Sequence, residues 1–260
     1  MTTWSEERSN TVLSRLAERV RHSVNAHREF TTVRREDLTW RTVAAGCDET
    51  LLATTAYTRV VQVRLAADAA LHWPADAHAQ EVLVVQGCVL AVPAGRDEPS
   101  VLAAHGFALR NAVAAGTLRA HDGPALLYVR HLLADAQTLP EPERTWWHMP
   151  RAALQLVPAG ARKWRPSFPG VDVMPLWGSA AITSMLVRFA PGASVPDHHH
   201  AVHEDCLMLE GEMFLGDILL RAGDYQLAPA GGGHFGEMSD VGGTFFFHGA
   251  IDPVLIPGKA

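Results

Sequence analysis

Apolar residues first recur at helical spacing, and then the pattern changes to short runs. Over residues 4–26, Val12, Leu13, Leu16, Val20 and Val24 repeat every three or four positions with Glu and Arg between them, which predicts one amphipathic helix. Thr3, with Glu6 three residues later, fits a capping box at its start. The polar face carries both signs of charge, so the helix is expected to pack on the body of the protein or on a partner subunit rather than to anchor in a membrane. Beyond it, Thr58–Leu65, Glu81–Gly87 and Ala125–Arg130 are β-like, with Gly, Pro and Asp between them. The Pro-rich polar stretch Leu139–Arg144 is the best linker candidate. Ile182–Phe189, Asp205–Gly211 and Thr244–His248 follow. Many short strands at regular spacing predict an all-β chain of sandwiches or barrels.

The two halves repeat. Arg64 precedes Gly87 by the interval that separates Arg188 from Gly211, and Gly106 precedes His131 as Gly223 precedes His248. Several such matches in order favour a duplicated barrel. The organisation expected is a helix over residues 1–32, a first barrel over 33–137, a linker over 138–150 and a second barrel over 151–260. Residues 93–99 look like an extra loop of the first half.

Composition narrows the setting. The 260 residues are 48% apolar, enough for a real core. No run of about 18 apolar residues is present, so no membrane span is expected. The first residues lack the apolar core of a secretory signal. A net charge of −6 argues against a nucleic-acid surface. Cys47, Cys88 and Cys206 form no Cys-x-x-Cys pair and suggest no disulfide framework, so a cytoplasmic setting is the expectation.

The chemistry concentrates in the second half. His198, His200 and Glu204 share strand parity, with His199 facing away, and His234 lies downstream behind a Gly-rich approach. Three imidazoles and a carboxylate can hold one divalent metal and leave positions open; these donors suit Fe, Zn, Cu, Ni and Mn without selecting among them. Cys206 and Met208 continue the inward parity after Glu204 and are candidates to line a cavity. Phe246 and His248, on the last expected strand, are candidates to touch substrate or to support a ligand. His199 and His203 should face outward or sit in the loop, and are not expected to be ligands. Trp146, Trp147, Trp164 and Trp177 are expected to be packing anchors.

With these residues in view, the chain resembles the cupin superfamily. Gly192, His198, His200, Glu204 and Gly211 match Gly-x5-His-x-His-x3-Glu-x6-Gly, and Gly223, Pro229, Gly231 and His234 match Gly-x5-Pro-x-Gly-x2-His. The framing Pro191-Gly192, Pro196 and Glu204-Asp205 is similar to the cupin of ChrR-type anti-sigma factors. Tandem cupins similar to acetylacetone and dihydroxyacetophenone dioxygenases are related. The resemblance implies two double-stranded β-helix (RmlC-like jelly-roll) barrels, a bicupin, with metal on His198, His200, Glu204 and His234. It covers residues 165–250 strongly and 36–133 weakly. At the corresponding positions the first half has Pro74, Asp76, Gln80 and Thr117, so its barrel is expected to be metal-free. His72, His78, Glu81, His105 and His121 are present there and are the candidates for a rearranged site, although none shows ligand spacing.

The resemblance implies a non-haem Fe(II) enzyme that dioxygenates a small diketone or aromatic hydroxyketone, with one divalent ion per chain, Fe(II) or Zn(II) ahead of Mn(II) or Ni(II). The alternative is a ChrR-like sensor of a small effector. The anti-sigma zinc module, His-x-x-x-Cys-x-x-Cys, is missing: the first helix has His22 and His27 and no cysteine. A storage or structural metal barrel is a third reading. No nucleic acid or membrane partner is expected, and a homodimer is implied by the resemblance only.

Overall fold

The amphipathic pattern becomes helix α1 (Glu6–Ala26), but its apolar stripe is not covered by the body of the chain. Val12, Leu13, Leu16, Val20 and Val24 are all at least half exposed, so the expected packing on the chain's own body is not seen. These features come from a computed structural model that describes residues 6–73, 76–92, 99–111, 116–133, 138–141, 143–148, 154–178 and 182–255. Thr3 of the capping box, Pro74, residues 93–98 of the extra loop and Pro142 of the linker lie outside the described residues. No helix among the described residues is long and apolar enough to cross a membrane.

After α1 the regular structure among the described residues is mostly strand. Strands β1 (Thr31–Val33), β2 (Arg41–Ala44), β3 (Cys47–Thr54), β4 (Thr58–Leu65), β5 (Ala79–Gln86), β6 (Cys88–Val92), β7 (Ser100–Ala103), β8 (Phe107–Asn111), β9 (Thr117–Ala120) and β10 (Ala125–Leu132) precede helix α2 (Glu143–His148). Strands β11 (Leu154–Val157), β12 (Arg165–Phe168), β13 (Val171–Gly178), β14 (Thr183–Phe189), β15 (Ala193–Ser194), β16 (His198–His199), β17 (Glu204–Leu215), β18 (Ile218–Arg221), β19 (Tyr225–Ala228), β20 (Gly233–His234), β21 (Met238–Ser239) and β22 (Gly243–Gly249) follow. The fold is mostly β and jelly-roll in topology.

The repeat is explicit in the strand order. One large sheet runs β11-β8-β5-β10-β4-β3-β2 and the other β1-β19-β17-β22-β14-β13-β12. The edges are exchanged. β1, from the amino-terminal side, closes the second sheet against β19, and β11, from beyond α2, closes the first against β8. Each unit thereby covers the other's exposed edge. Residues 154–157 thus pair with the first unit, although the boundary expected at residue 151 puts them in the second. The same backbone constraint also recurs: Gly46 and Gly170 have φ of 69° and 76°, and a Cβ on either would come within 2.9 Å of Ala69 or Ala193.

Strand alternation sorts the core into three clusters. Val82, Val84, Leu127 and Val129 fill the first unit, and Cys206, Met208, Phe245 and Phe247 fill the second. The opposite faces of the same strands meet between the units: Leu83 and Tyr128 from one, Leu207, Tyr225 and Phe246 from the other, with Trp146 and Trp147 of α2. The tryptophans of the linker are thus packing anchors, and Trp164 and Trp177 pack against this cluster.

Within that apolar interface lies a closed polar network. Glu81 pairs with Arg130 in register, and Asp205 with His248. These are equivalent pairs of the two units, and across the interface they exchange partners. His248 Nδ1 lies 3.3 Å from Glu81, and Arg130 Nε lies 3.6 Å from Asp205. Glu143 of α2 accepts from Arg130 Nη2 at 2.9 Å and lies 3.7 Å from His248 Nε2. The Ser184 hydroxyl donates to Glu81, and the Tyr225 hydroxyl donates to Asp205. Burial and Arg130 both push His248 down, but Glu81 and Glu143 outweigh them and hold it up at about 9. Burial opposes the charge on Glu143, yet Arg130 and His248 hold its pKa down at about 2.

This register corrects the repeat by one position. His131 is not the partner of His248; Arg130 is, and His131 sits where the second unit has Gly249. The turn residue equivalent to Gly223 is His105, not Gly106: the His105 and Gly223 N–H groups donate to the Val84 and Met208 carbonyls, and both residues have positive φ.

Candidate metal centre

Two short strands bring the histidines together. β16 and β20 pair antiparallel, with His198 opposite His234 and His199 opposite Gly233. A Cβ on Gly233 would fall 2.5 Å from the His198 carbonyl oxygen, so only glycine permits this approach. Gly231, at φ 82°, turns the chain into β20. His198 and His200 are buried and His199 is exposed, as strand alternation requires. Glu204 opens β17, against Ala228 of β19.

One ligand atom from each of His198, His200 and Glu204 lies within 4.8 Å of the others. His234 joins them through Glu204, with Nε2 3.3 Å from Oε1, and His200 Nε2 lies 3.6 Å from Oε2. The ring centroids of His200 and His234 are 4.5 Å apart, and that of His198 is 5.5 Å from each. His198 Nδ1 donates to the Pro196 carbonyl at 3.1 Å, which leaves Nε2 as the ligating nitrogen. Both nitrogens of His200 and Nδ1 of His234 are buried without a hydrogen-bond partner among the described residues. Burial holds all three imidazoles below their ordinary range, His200 at about 4 and His234 at about 3. Neutral, orphaned imidazoles around a carboxylate fit a divalent cation. Phe30, just beyond α1, closes one side, its ring 5.6 Å from His234 and 6.3 Å from His200.

On another side lies a cavity of about 100 Å³ with mostly apolar walls, among them Met185, Val187, Phe189, Phe245 and Phe247. Its polar lining includes His198, Glu204, Cys206 and Glu237. Glu237 is absent from the sequence-based candidates. Its Oε2 lies 3.7 Å from His198 Nε2, and burial, with Glu204 nearby, pushes its pKa up to about 8. Its only sequence signal is a lone acid three residues after His234. Cys206 lines the cavity as expected from parity, and burial keeps its thiol protonated. Three other candidates do not reach it. Met208 packs deeper in the core of the second unit, while Phe246 and His248 point to the opposite face, into the interface between the units. β22 is apolar on both faces, so its phase is not visible in its pattern. His203 is half-buried, and its Nδ1 accepts from the Ala230 N–H at 3.1 Å.

In the first unit the corresponding residues do not gather. Gln80 is buried, Asp76 and Thr117 are not. Of the five other candidates, Glu81 belongs to the interface network, His72 and His78 are exposed, His105 occupies a turn at φ 69°, and His121 lies beside exposed Asp122.

The depressed imidazoles give the metal-free protein a pH optimum. Below about 6.5 the unfolded chain protonates His131, His198, His200 and His234 while the fold does not, so stability is lost as pH falls. Glu204, Asp205 and Glu237 have raised pKa values and act in the opposite sense, but they are fewer. Above 6.5, His248 and Glu237 keep protons that the unfolded chain releases, so stability falls again through about pH 8–9. Denaturant midpoints of metal-free protein should peak near pH 6.5 and change by about 1.4 kcal/mol per pH unit for each net proton. A midpoint that rises steadily from pH 5 to 9 contradicts this assignment.

Comparison with known proteins bears on this geometry. Residues 153–252 match the family model described as the ChrR cupin-like domain. No curated protein sequence matches the chain. Among solved structures, protein Ylba from E. coli aligns with a TM-score of 0.66 at 14% identity, covering 85% of this chain and 90% of that one. A putative glyoxylate-induced protein from Pseudomonas aeruginosa aligns at 0.62 and 12% identity, covering 85% and 89%. A mutant of Bacillus subtilis oxalate decarboxylase aligns at 0.61 and 16% identity, covering 85% and 77%. At these identities the likeness is one of fold. The fold is that of the cupin superfamily, and the second unit is similar to the ChrR cupin-like domain.

Proposed function

Starting from a cupin fold with a ChrR-like second unit, we propose that the chain is a metal-dependent bicupin enzyme with non-haem Fe(II) dioxygenase-like chemistry on a small diketone or aromatic hydroxyketone. The observation that carries the reading is the apolar cavity opening directly onto His198 and Glu204. A closed, dry-packed ligand shell would suit a structural ion instead. His198, His200, Glu204 and His234 would hold the ion. When bound, Fe(II) supplies a Lewis-acidic, redox-active centre where substrate and dioxygen meet.

The chain's own groups do the rest. Phe245, Phe247 and Val187 give the cavity apolar walls that exclude water from the reacting groups. Glu237 lines the same space beside His198, where its carboxyl can exchange a proton with a ketone as it enolises. The Pro196 carbonyl fixes the His198 ring. The first unit braces the second through the shared interface.

The similarity of residues 153–252 to the ChrR cupin-like domain favours a second reading, a metal-bound sensor of a small effector. Oxygen uptake separates the two. Protein purified without added metal and supplied with β-diketones or aromatic hydroxyketones should consume oxygen in proportion to its iron content. Stoichiometric zinc with no oxygen consumption would decide for the sensor.

A further inference from the structure

The first unit carries a buried polar row at the level where the second carries Glu204. It runs across the sheet from Arg110 on β8 through Gln80 on β5 and His131 on β10 to Arg59 on β4. The equivalent positions around Glu204 are Ala228, Gly249 and Thr183. Where one unit gathers ligands for a cation, the other has placed a cation of its own.

Among the described residues, the charge on Arg110 is not answered. Its residue is 3% exposed. Nε donates to Gln80 Oε1, Nη1 donates to the Gly116 carbonyl at 3.1 Å, and the guanidinium lies 4.7 Å from the centre of the half-buried Trp73 ring. Nη2 is buried with no partner, and no carboxylate pairs with Arg110 among the described residues. Arg59, at the far end of the row, differs in being paired with Glu49. Burial lowers the Arg110 pKa to about 10, which still leaves it charged at neutral pH.

A second orphan donor follows from the first. Because Gln80 Oε1 accepts from Arg110, its amide nitrogen must face His131 Nδ1, 3.2 Å away, and donate to it. That fixes the imidazole tautomer: Nδ1 accepts, and Nε2 carries the proton. His131 Nε2 is likewise buried and unpartnered. A buried cation with no counter-ion among the described residues, together with two donors without acceptors, leaves the cluster short of one anion.

We propose that the first unit binds a small carboxylate, with Arg110 Nη2 as its charged donor and His131 Nε2–H as a second. A carboxylate carries one negative charge against the one unanswered guanidinium, and its planar oxygens suit guanidinium and imidazole donors. A phosphate would bring about twice that charge into a site with a single free cation. The site is distinct from the metal centre and does not depend on which ion that centre holds.

Acetate is the probe, titrated by calorimetry and by thermal melting against sodium chloride at equal ionic strength. Saturable one-to-one binding is expected, with a melting temperature raised by at least about 5 °C at a hundredfold excess over Kd. Binding should persist in a His198→Ala/His200→Ala variant and weaken at least about tenfold in Arg110→Gln. Should Arg110→Gln fail to fold, saturation transfer from the acetate methyl to the Trp73 indole in the wild type, absent in Trp73→Phe, supplies the same test. No saturable binding beyond chloride, retention in Arg110→Gln, or absence of transfer to Trp73 overturns the proposal. Loss in the His198→Ala/His200→Ala variant also overturns it, because it assigns the anion to the metal centre.

Discussion

Replacing Arg130 with Met is expected to destabilise the fold by about 3–5 kcal/mol, read as a fall in denaturant midpoint at pH 7. The substitution keeps most of the side-chain volume, so it tests charge more than packing. Arg130 is 1% exposed and answers Glu143 at 2.9 Å, Asp205 at 3.6 Å and Glu81 at 3.9 Å. Without it, three buried carboxyls share one cation, His248. Part of the loss should return when Glu143→Gln is added to Arg130→Met, because the second change removes a charge that the first leaves exposed to its like neighbours. A loss below about 1 kcal/mol would mean that water reaches the network and screens it.

The network also shows where sequence reading reaches its limit. The metal array was legible because it is local: His198, His200 and Glu204 lie within seven residues on one strand parity, and the glycines before His234 mark a tight approach. The strands were legible from their apolar runs, and the doubling of the fold from spaced glycines such as Gly87 and Gly211. The interface was not. Glu81, Arg130, Glu143, Asp205 and His248 come from five separate elements, and nothing in their spacing shows that they meet. Phe245, Phe246 and Phe247 offer no alternation to read, so the sequence does not show which face Phe246 and His248 take; the register with Ser184 and Asp205 turns them away from the cavity. The exchange of β1 and β11 between sheets is likewise a tertiary outcome, since an edge strand's pattern does not name its partner.

The second large effect concerns the metal. In His198→Ala/His200→Ala, two of the four donors and both free nitrogens of His200 disappear. Affinity for a divalent ion should fall by at least about 100-fold, the upper end of what losing a single supporting contact typically costs. The fold itself should survive. These imidazoles are buried, neutral and, in His200, without hydrogen bonds, so removing them takes away groups that oppose folding below pH 6.5. Metal-free wild type and variant should therefore melt within a few degrees of each other at neutral pH, while added metal should stabilise only the wild type. A variant that unfolds on its own would show that these side chains serve packing.

Elemental analysis of wild type and His198→Ala/His200→Ala, both purified without added metal, tests the central claim most directly. The account predicts one equivalent of a divalent ion per wild-type chain and none in the variant, with no contribution from the first unit. Two equivalents in the wild type, or a full equivalent retained by the variant, would contradict it.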